Sequence, residues 1–218
     1  QGTWVTLRLA LLSLLLGLFF GLIGALAKLS SVRAWRVCAQ LYNTLIRGVP
    51  DLLLMLFVLY GLQTGLSVLT AQLGWGYIEI DPFNAGVSTL GFIYGAYFTE
   101  TFRGALLAVP RGQTQAGKAL GFTSSQCFVH LVFPQMMRFA LPGLGNNWMV
   151  LLKATALVSI IGLVDLVKVS QVDGKSGQQL LSFLVLAALI YLLPSSASNA
   201  LLRWLERRYS RGVREASR

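Results

Sequence analysis

The 218-residue sequence has little charge and few of the residues that build disulfide frameworks or metal sites. Only 12% of its residues are charged, about half the usual share of a soluble globular domain. Its two cysteines, Cys38 and Cys127, lie far apart, and His130 is the single histidine. This scarcity excludes a disulfide scaffold and argues against a His-based metal site, so we predict no metal ion in this chain.

Apolar residues are abundant instead, at 55% of the chain and a mean hydropathy of +0.66. A disordered chain would be poor in Leu, Ile, Val and Phe, in which this sequence is rich. The net charge of +10 would suit a nucleic-acid-binding protein, but such a protein would not be this apolar. The composition therefore predicts a multi-span membrane protein without a nucleic-acid partner.

Five windows reach the roughly 20 mostly apolar residues that a transmembrane helix needs. They are residues 4–27, 52–69, 85–107, 148–167 and 180–202. The first window also admits a signal-peptide interpretation, because Ala25-Leu26-Ala27 looks like a cleavage site, but its uncharged run is longer than a typical signal core. We predict an all-α polytopic membrane protein with a single domain over residues 1–218. Since the sequence begins with Gln1 rather than Met, we expect a few residues to precede it.

Basic residues divide unequally between the two sides of this predicted topology. With the C-terminal tail in the cytoplasm, fourteen of the 18 Lys and Arg residues lie on that side and two lie on the other. The remaining two, Arg8 and Lys153, lie inside predicted spans. Cytoplasmic loops of membrane proteins carry an excess of Lys and Arg. The N-terminus is therefore predicted outside and the C-terminus inside, with anionic lipid contacting the positive charge.

The third predicted loop, residues 103–141, is cytoplasmic and is not a polar linker. Residues 113–120 can form a helix, and Gly121 follows them, as glycine commonly does after a helix. A second run, 124–133, opens with Ser124 and Ser125 as candidate N-caps and stops at Pro134. Its apolar residues recur at helical spacing. We predict two short helices with a glycine elbow, which either pack on the membrane surface or dock a cytoplasmic partner.

The spacing in this loop resembles the EAA loop of ABC importer permeases. That family pattern is Glu-Ala-Ala, three residues, Gly, nine residues, then Ile, any residue, Leu and Pro. The sequence keeps Ala116, Gly121 and Pro134 and departs at Gln115, Gly117, Leu131 and Phe133. The departure at Gln115 weakens any role that needs a carboxylate at the ATPase contact, but it leaves the elbow geometry intact.

Further motifs extend this resemblance over nearly the whole chain. Ile46-Arg47-Gly48-Val49-Pro50 resembles the entry to the second span of polar amino-acid permeases, and residues 98–104, 109–113 and 153–159 are similar to later family segments. Within the family the chain looks most like the Q-type permeases of basic amino-acid importers, and opine permeases are also similar. The resemblance implies an ATP-driven importer subunit for histidine, arginine, lysine or ornithine in the bacterial inner membrane, forming half of the pathway by alternating access.

The same resemblance implies the partners: a second permease, which we expect to be a homologous M-type chain, two ABC ATPases, and a periplasmic substrate-binding protein. The sequence has no Gly-x-x-x-x-Gly-Lys-Ser/Thr loop, so we expect no cofactor on this chain and place ATP and Mg on the ATPases. The chain itself is thus predicted not to be an enzyme. The residues assigned to ATPase coupling are Gly112, Gln115, Ala116, Gly117, Gly121, Phe133 and Pro134. The sequence does not specify which amino acid is carried, whether the two permeases are identical, or which of them contacts substrate.

Two other classes of function compete with this interpretation. A self-sufficient secondary transporter or channel is the main alternative, and it would transport in isolation under an ion gradient. An intramembrane enzyme would need paired acidic residues, or a nucleophile with a base, within the spans. Glu100 and Asp165 are predicted near opposite membrane faces, and no His-Glu-x-x-His motif occurs.

Charged residues inside predicted spans are the candidates for function, since each costs about 2.5–3.5 kcal/mol at a helix centre on insertion scales. Asp165 is predicted to attract the substrate's cationic side chain or α-amino group, with a solvated carboxylate paired to Lys168 as the alternative. Lys153 lines the path or pairs with Glu100. Glu100 and Arg103, at i and i+3, are predicted to form an intrahelical ion pair.

Ser159 completes the predicted substrate pathway with Asp165 and Lys153. It lies on the same side of the fourth predicted span as Thr155. A substrate contact is one interpretation of its hydroxyl. The alternative is a hydrogen bond to the backbone four residues earlier.

Overall fold

The computed structural model describes residues 1–209, which fold into helices joined by short connections. The helices are α1 (Gly2–Leu29), α2 (Arg33–Gly48), α3 (Asp51–Gln72), α4 (Pro82–Ala108), α5 (Arg111–Ala119), α6 (Ser124–Cys127), α7 (Phe133–Ala154), α8 (Leu166–Ser176) and α9 (Leu180–Tyr209). A π-helical turn, Phe128–Val132, precedes α7, and a 3₁₀ helix, Thr155–Ile161, follows it. Over residues 1–209 there is no β-strand, so the all-α prediction is confirmed. Three arginines of the predicted cytoplasmic tail, Arg211, Arg214 and Arg218, lie outside the described residues.

Four helical stretches are long and apolar enough to cross a membrane: Gly2–Leu29, Asp51–Gln72, Ser124–Ile161 and Leu180–Tyr209. The remaining predicted window, 85–107, lies within the 27 residues of α4. No 18-residue window of α4 is as apolar as those four stretches, because Gly, Thr and Tyr are frequent along it and it also carries Glu100 and Arg103. Length and composition therefore support four of the five predicted spans directly. The crossing of the membrane by α4 stays a prediction.

Helices α1 and α4 lie side by side at the centre of the fold and run in the same direction. Positions in contact advance together along both helices: Leu9 lies by Gly86, Gly17 by Gly91, and Gly24 by Thr99. Because both helices point the same way, α2 and α3 must return the chain to the end at which α1 began.

Glycines on α1 permit this close contact. A Cβ atom at Gly21 would lie 2.4 Å from the Cβ of Phe98, and one at Gly24 would lie 2.2 Å from the Oγ1 of Thr99. Small residues four positions apart allow membrane helices to approach closely, and Gly17 and Gly21 have that spacing. The chain therefore uses this motif to pack α1 on its own α4.

The other long helices assemble around this pair. Helix α7 and the 3₁₀ helix that continues it are antiparallel to α4, since Gly143 lies against Thr101 and Val158 lies against Gly86. Helix α9 returns beside α7 and brings Leu202 to Gly145. Buried side chains of α1, α4 and α7 form the core, whereas α3 and α9 leave most of their apolar surface outside it.

The fourth predicted span differs from the helix in the structure. Hydropathy placed it at residues 148–167, but the continuous helical stretch is Ser124–Ile161. It ends at Gly162, whose φ of +98° is left-handed and therefore favours glycine. Asp165 is consequently outside that stretch and is the N-cap of α8. A hydropathy window averages over such a break, because the flanking residues are apolar on both sides.

Helix α2 was not predicted and lies in the first loop of the sequence-based topology. Its buried residues, Ala39, Asn43 and Ile46, recur at helical spacing and pack toward α1 and α4. Three apolar side chains on another face, Val37, Leu41 and Leu45, are exposed. Arginines on a third face give α2 the mixed character of an amphipathic helix at a membrane surface.

Candidate substrate pathway and coupling loop

A groove of about 330 Å³ lies between α7, α8 and α9. Its walls are Lys153, Ala156, Val167, Leu184, Ala187, Ala188 and Tyr191. Of the three predicted pathway residues, Lys153 lines this groove with an exposed side chain, whereas Asp165 and Ser159 are buried. The structure also departs from the predicted pairing of Lys153 with Glu100, because the partners of Glu100 are on α1, α2 and α4.

Asp165 is completely buried, unlike the solvated carboxylate of the alternative interpretation. Its Oδ1 accepts a hydrogen bond of 2.8 Å from the backbone N–H of Lys168, which is the N-cap bond of α8. Its Oδ2 has no hydrogen-bond partner within residues 1–209. A buried carboxylate oxygen without a partner costs free energy, since the lost hydration is not replaced. The protein therefore holds an unsatisfied hydrogen-bond acceptor at this position.

Hydroxyl groups from distant parts of the sequence lie in the same region as Asp165, but none of them bonds its carboxylate. The Thr6 hydroxyl of α1 accepts a hydrogen bond of 3.2 Å from the backbone N–H of Leu166, the residue after Asp165. The Tyr191 hydroxyl lies 3.3 Å from Oγ1 of Thr155, and Tyr191 is close enough to Asp165 for electrostatic interaction. Tyr191 also lines the groove, whereas Asp165 is not among its walls. Nothing in the sequence indicated that these hydroxyl groups lie together, because they come from α1, α9 and the 3₁₀ helix, which are far apart along the chain.

The Ser159 hydroxyl has a backbone partner in the structure. It donates a hydrogen bond of 2.8 Å to the carbonyl of Ala156, three residues earlier rather than the four of an α-helix. Thr155 bonds the carbonyl of Leu152 in the same manner at 2.7 Å. A 3₁₀ helix brings residues three apart into register, which explains the difference.

Glu100 connects three helices at the end of the fold where α1 finishes. Its Oε2 accepts from the Nε of Arg103 at 2.9 Å, as expected for an intrahelical ion pair. Its Oε1 accepts from Lys28 of α1 and from the Nδ2 of Asn43 of α2. The Lys28 side chain is only 7% exposed, so Glu100 neutralises a nearly buried cation. The sequence offered no signal for this pairing, because Lys28 lies 72 positions away.

The predicted elbow of the coupling loop lies at Gly121. Helix α5 ends at Ala119, and Gly121 adopts a left-handed φ of +84°. The backbone N–H of Phe122 then donates to the carbonyl of Gly117 at 3.0 Å, which closes the turn. An L-residue with a side chain would be strained at this φ, so the reversal of the chain depends on glycine.

The second helix of the loop differs from its prediction at both ends. Its N-cap is Thr123 rather than Ser124 or Ser125, because Gln126 lies three residues later and completes a capping box. The chain also stays helical through Pro134, where a stop was predicted. Pro134 lies in the first turn of α7, immediately after the π-helical turn, and a missing N–H is tolerated there.

Two departures from the family pattern contact each other in this hairpin. A Cβ atom at Gly117 would lie 2.6 Å from Cδ1 of Leu131 and 2.8 Å from the Sγ of Cys127. Gly117 is therefore buried beneath the side chains of Leu131 and Cys127, which leave no room for a Cβ atom. The other predicted coupling residues are exposed: Gly112, Gln115, Ala116, Gly121, Phe133 and Pro134. The hairpin thus exposes these six residues while its interior is closely packed.

Residues 13–211 match the family described as the binding-protein-dependent transport system inner membrane component. The chain belongs to this family. It is a membrane transport component of the inner membrane rather than an enzyme, as its family and its apolar helices indicate.

Individual members of the family resemble this transport component over almost their full length. The histidine/lysine/arginine/ornithine transport system permease protein of Salmonella typhimurium is 57% identical, covering 99% of this chain and 95% of that protein. An octopine transport system permease protein of Rhizobium radiobacter is 39% identical, covering 98% and 90%. The crystal structure of an amino acid ABC transporter with histidines superposes with a TM-score of 0.79 at 33% identity, covering 95% and 92%.

The Glu100 cluster yields a stability prediction for this transport component. Glu100→Gln keeps the side-chain shape but removes the charge that neutralises Lys28, so we expect a loss of about 2–3 kcal/mol of stability. The measurement is thermal unfolding of the purified protein in detergent. Glu79→Gln is the matched control, because Glu79 is exposed in the connection before α4. Equal unfolding temperatures for the two variants would contradict the structural role of the cluster.

Proposed function

We propose that this chain is the permease subunit of an ATP-driven importer of basic amino acids: histidine, arginine, lysine or ornithine. The observation that carries the proposal is the 57% identity, over 99% of the chain, to a permease named for those four substrates. Opines form the second candidate class, since the octopine permease is 39% identical over 98% of the chain.

The proposed topology has five spans. Four are the apolar stretches given above, and the fifth is α4, which is less apolar than those four. At 27 residues, α4 extends about 40 Å, which exceeds the roughly 30 Å of a bilayer's hydrocarbon core. Its parallel contact with α1 supports a crossing in the same direction. Lys28, Arg36 and Arg103 gather at the end where α1 finishes. The positive-inside rule assigns that end to the cytoplasm, with the N-terminus outside.

The proposed complex contains a second permease, two ATPases that bind ATP and Mg, and a periplasmic substrate-binding protein. An M-type homologue is our choice for the second permease. The large exposed apolar surfaces of α3 and α9 support contacts beyond this chain, with lipid and with that second permease. The exposed coupling hairpin provides a surface for an ATPase at the end assigned to the cytoplasm.

The mechanism we propose uses a continuous helical rod. Helical structure runs without interruption over Ser124–Ile161, from the coupling hairpin to the groove. An ATPase that moves the hairpin therefore also moves Lys153 and Ser159, because they lie on the same rod. The rod ends at Gly162, close to Asp165, so a displacement shifts the groove wall against α8. Such rigid-body motion around a fixed site is one of the known forms of alternating access.

Lys153 in the groove wall and the buried Asp165 behind it supply the two charges that a basic amino acid needs. The exposed ammonium of Lys153 suits the substrate's α-carboxylate. Asp165, through its unpartnered Oδ2, attracts the substrate's cationic side chain or α-amino group from behind Tyr191. Ser159 is a third pathway position, whose hydroxyl must leave Ala156 to contact substrate.

Reconstitution of the complete importer in proteoliposomes tests the function directly. We expect uptake of labelled arginine or histidine to require internal ATP and the external binding protein. Labelled octopine in the same assay distinguishes the opine alternative. Uptake by the isolated chain under an ion gradient, without the ATPases, would instead support a self-sufficient secondary transporter or channel and overturn the proposal.

Asp165→Asn tests the pathway role of the buried carboxylate. We expect about tenfold weaker apparent affinity for a basic amino acid, the loss expected when a charged hydrogen-bond acceptor becomes neutral. The measurement is the substrate dependence of ATP-driven uptake. Asp173→Asn on the same helix, where the side chain is exposed, is the matched control. Unchanged uptake kinetics in the Asp165 variant would refute the role.

Gly121→Leu tests the coupling elbow. A leucine in left-handed backbone costs roughly 1–2 kcal/mol, so the hairpin should change its turn and transmit less motion. We expect ATP hydrolysis to continue while uptake falls at least severalfold. The control is Ala119→Leu, which adds the same side chain at an exposed residue of α5 with helical backbone. Normal coupling in the Gly121 variant would show that the elbow is not needed.

A further inference from the structure

A second polar cavity, outside the proposed pathway, lies where α2 crosses the ends of α1 and α4. It has a volume of about 520 Å³ and is lined by Lys28, Arg36, Val37, Gln40, Glu100 and Arg103. Lys28, Gln40 and Glu100 also line an adjoining cavity of about 250 Å³ that extends to Asn43 and Arg47. The two spaces therefore share walls and form one polar pocket at the inner end of the fold.

The charges of this pocket favour an anion. Glu100 is already bound by Lys28 and Arg103, so its negative charge is engaged. Arg36 is exposed, and within residues 1–209 its guanidinium has no carboxylate partner. Three cations against one carboxylate leave a net positive lining, which a phosphodiester would neutralise.

Asn43 supplies an independent indication of a bound ligand. Its Nδ2 donates to Glu100, which leaves its Oδ1 as the acceptor. That Oδ1 is buried without a hydrogen-bond partner in the described part of the chain, and Asn43 is only 3% exposed. A buried acceptor beside a cationic pocket suits a ligand that carries a hydroxyl donor as well as a phosphate.

The outer face of α2 indicates where the rest of such a ligand lies. Val37, Leu41 and Leu45 are spaced four residues apart and are 48%, 56% and 63% exposed. This row begins at the cavity, since Val37 is one of its walls. An apolar track that starts at a cationic pocket large enough for a headgroup matches the shape of a phospholipid, with the headgroup in the pocket and an acyl chain along the helix.

We propose that this pocket binds the headgroup of an anionic glycerophospholipid with free hydroxyls, namely phosphatidylglycerol of the inner leaflet. The phosphate lies among Lys28, Arg36 and Arg103, and a glycerol hydroxyl donates to Oδ1 of Asn43 once that side chain turns toward the pocket. Such a lipid joins α1, α2 and α4 at the Glu100 cluster. The inner-leaflet position rests on the proposed topology, whereas the lipid preference itself does not depend on transport.

Native mass spectrometry of the assembled importer tests this proposal. The complex is released from nanodiscs of phosphatidylcholine alone or with phosphatidylglycerol as a minority lipid, and the retained lipids are counted. We expect selective retention of phosphatidylglycerol, and about fivefold weaker retention in Arg36→Gln, equivalent to the roughly 1 kcal/mol that a basic residue contributes near an anionic surface. Arg33→Gln is the control, because Arg33 is exposed on the same helix but is not among the residues that line the pocket.

Three results would overturn the proposal. Equal retention of the two lipids would show that the pocket has no headgroup preference. Equal loss in the Arg33 and Arg36 variants would indicate nonspecific surface charge. Displacement of the lipid by soluble glycerol phosphate at millimolar concentration would assign the pocket to a free phosphate ester instead. Loss confined to Arg36→Gln, with import left as an independent readout, would support the site whether or not the transported substrate is correctly assigned.

Discussion

The glycine-mediated contact of α1 with α4 is the constraint on which the rest of the structure depends. Because Gly21 and Gly24 bring α1 onto the backbone and side chains of Phe98 and Thr99, the two helices are held in one register. That register places Lys28 beside Glu100 at one end. At the other end, the start of α1 contacts the segment that leads into α8, through the Thr6 hydroxyl. The Glu100 cluster at one end and the Asp165 region at the other are thus both positioned by the apolar packing of α1 on α4 between them.

The long helical stretch Ser124–Ile161 gives the second organising feature. In many membrane proteins a cytoplasmic loop and a transmembrane pathway are separate elements that must communicate through contacts. Here the second half of the coupling hairpin is the first part of the rod that carries Lys153. Left-handed glycines at 121 and 162 bound this rod on both sides. In the proposed mechanism, this continuous helical stretch transmits a displacement of the hairpin to the groove.

Elements that depend on local residue patterns were predictable. The helical class and the elbow at Gly121 follow from periodicity and glycine placement within a few residues. The Glu100–Arg103 spacing is also local, and the structure places the pair at 2.9 Å. Prediction was less accurate where hydropathy and backbone geometry diverge. The break at Gly162 lies between apolar residues, so a window that averages hydropathy extended the span to Asp165.

By itself, the sequence determined the membrane class, the approximate positions of most apolar helices, the glycine elbow and the family resemblance, because these depend on composition and short-range spacing. Only the tertiary structure decided which charges meet. Lys28 reaches Glu100, and Asp165 lies near Tyr191, through packing of helices far apart in the chain. The tertiary structure also showed that α2 is a helix with three distinct faces. Among the described residues, Asn43 and Asp165 each keep a buried acceptor atom without a hydrogen-bond partner. Contacts of this kind arise from helix register and depth, which no local pattern encodes.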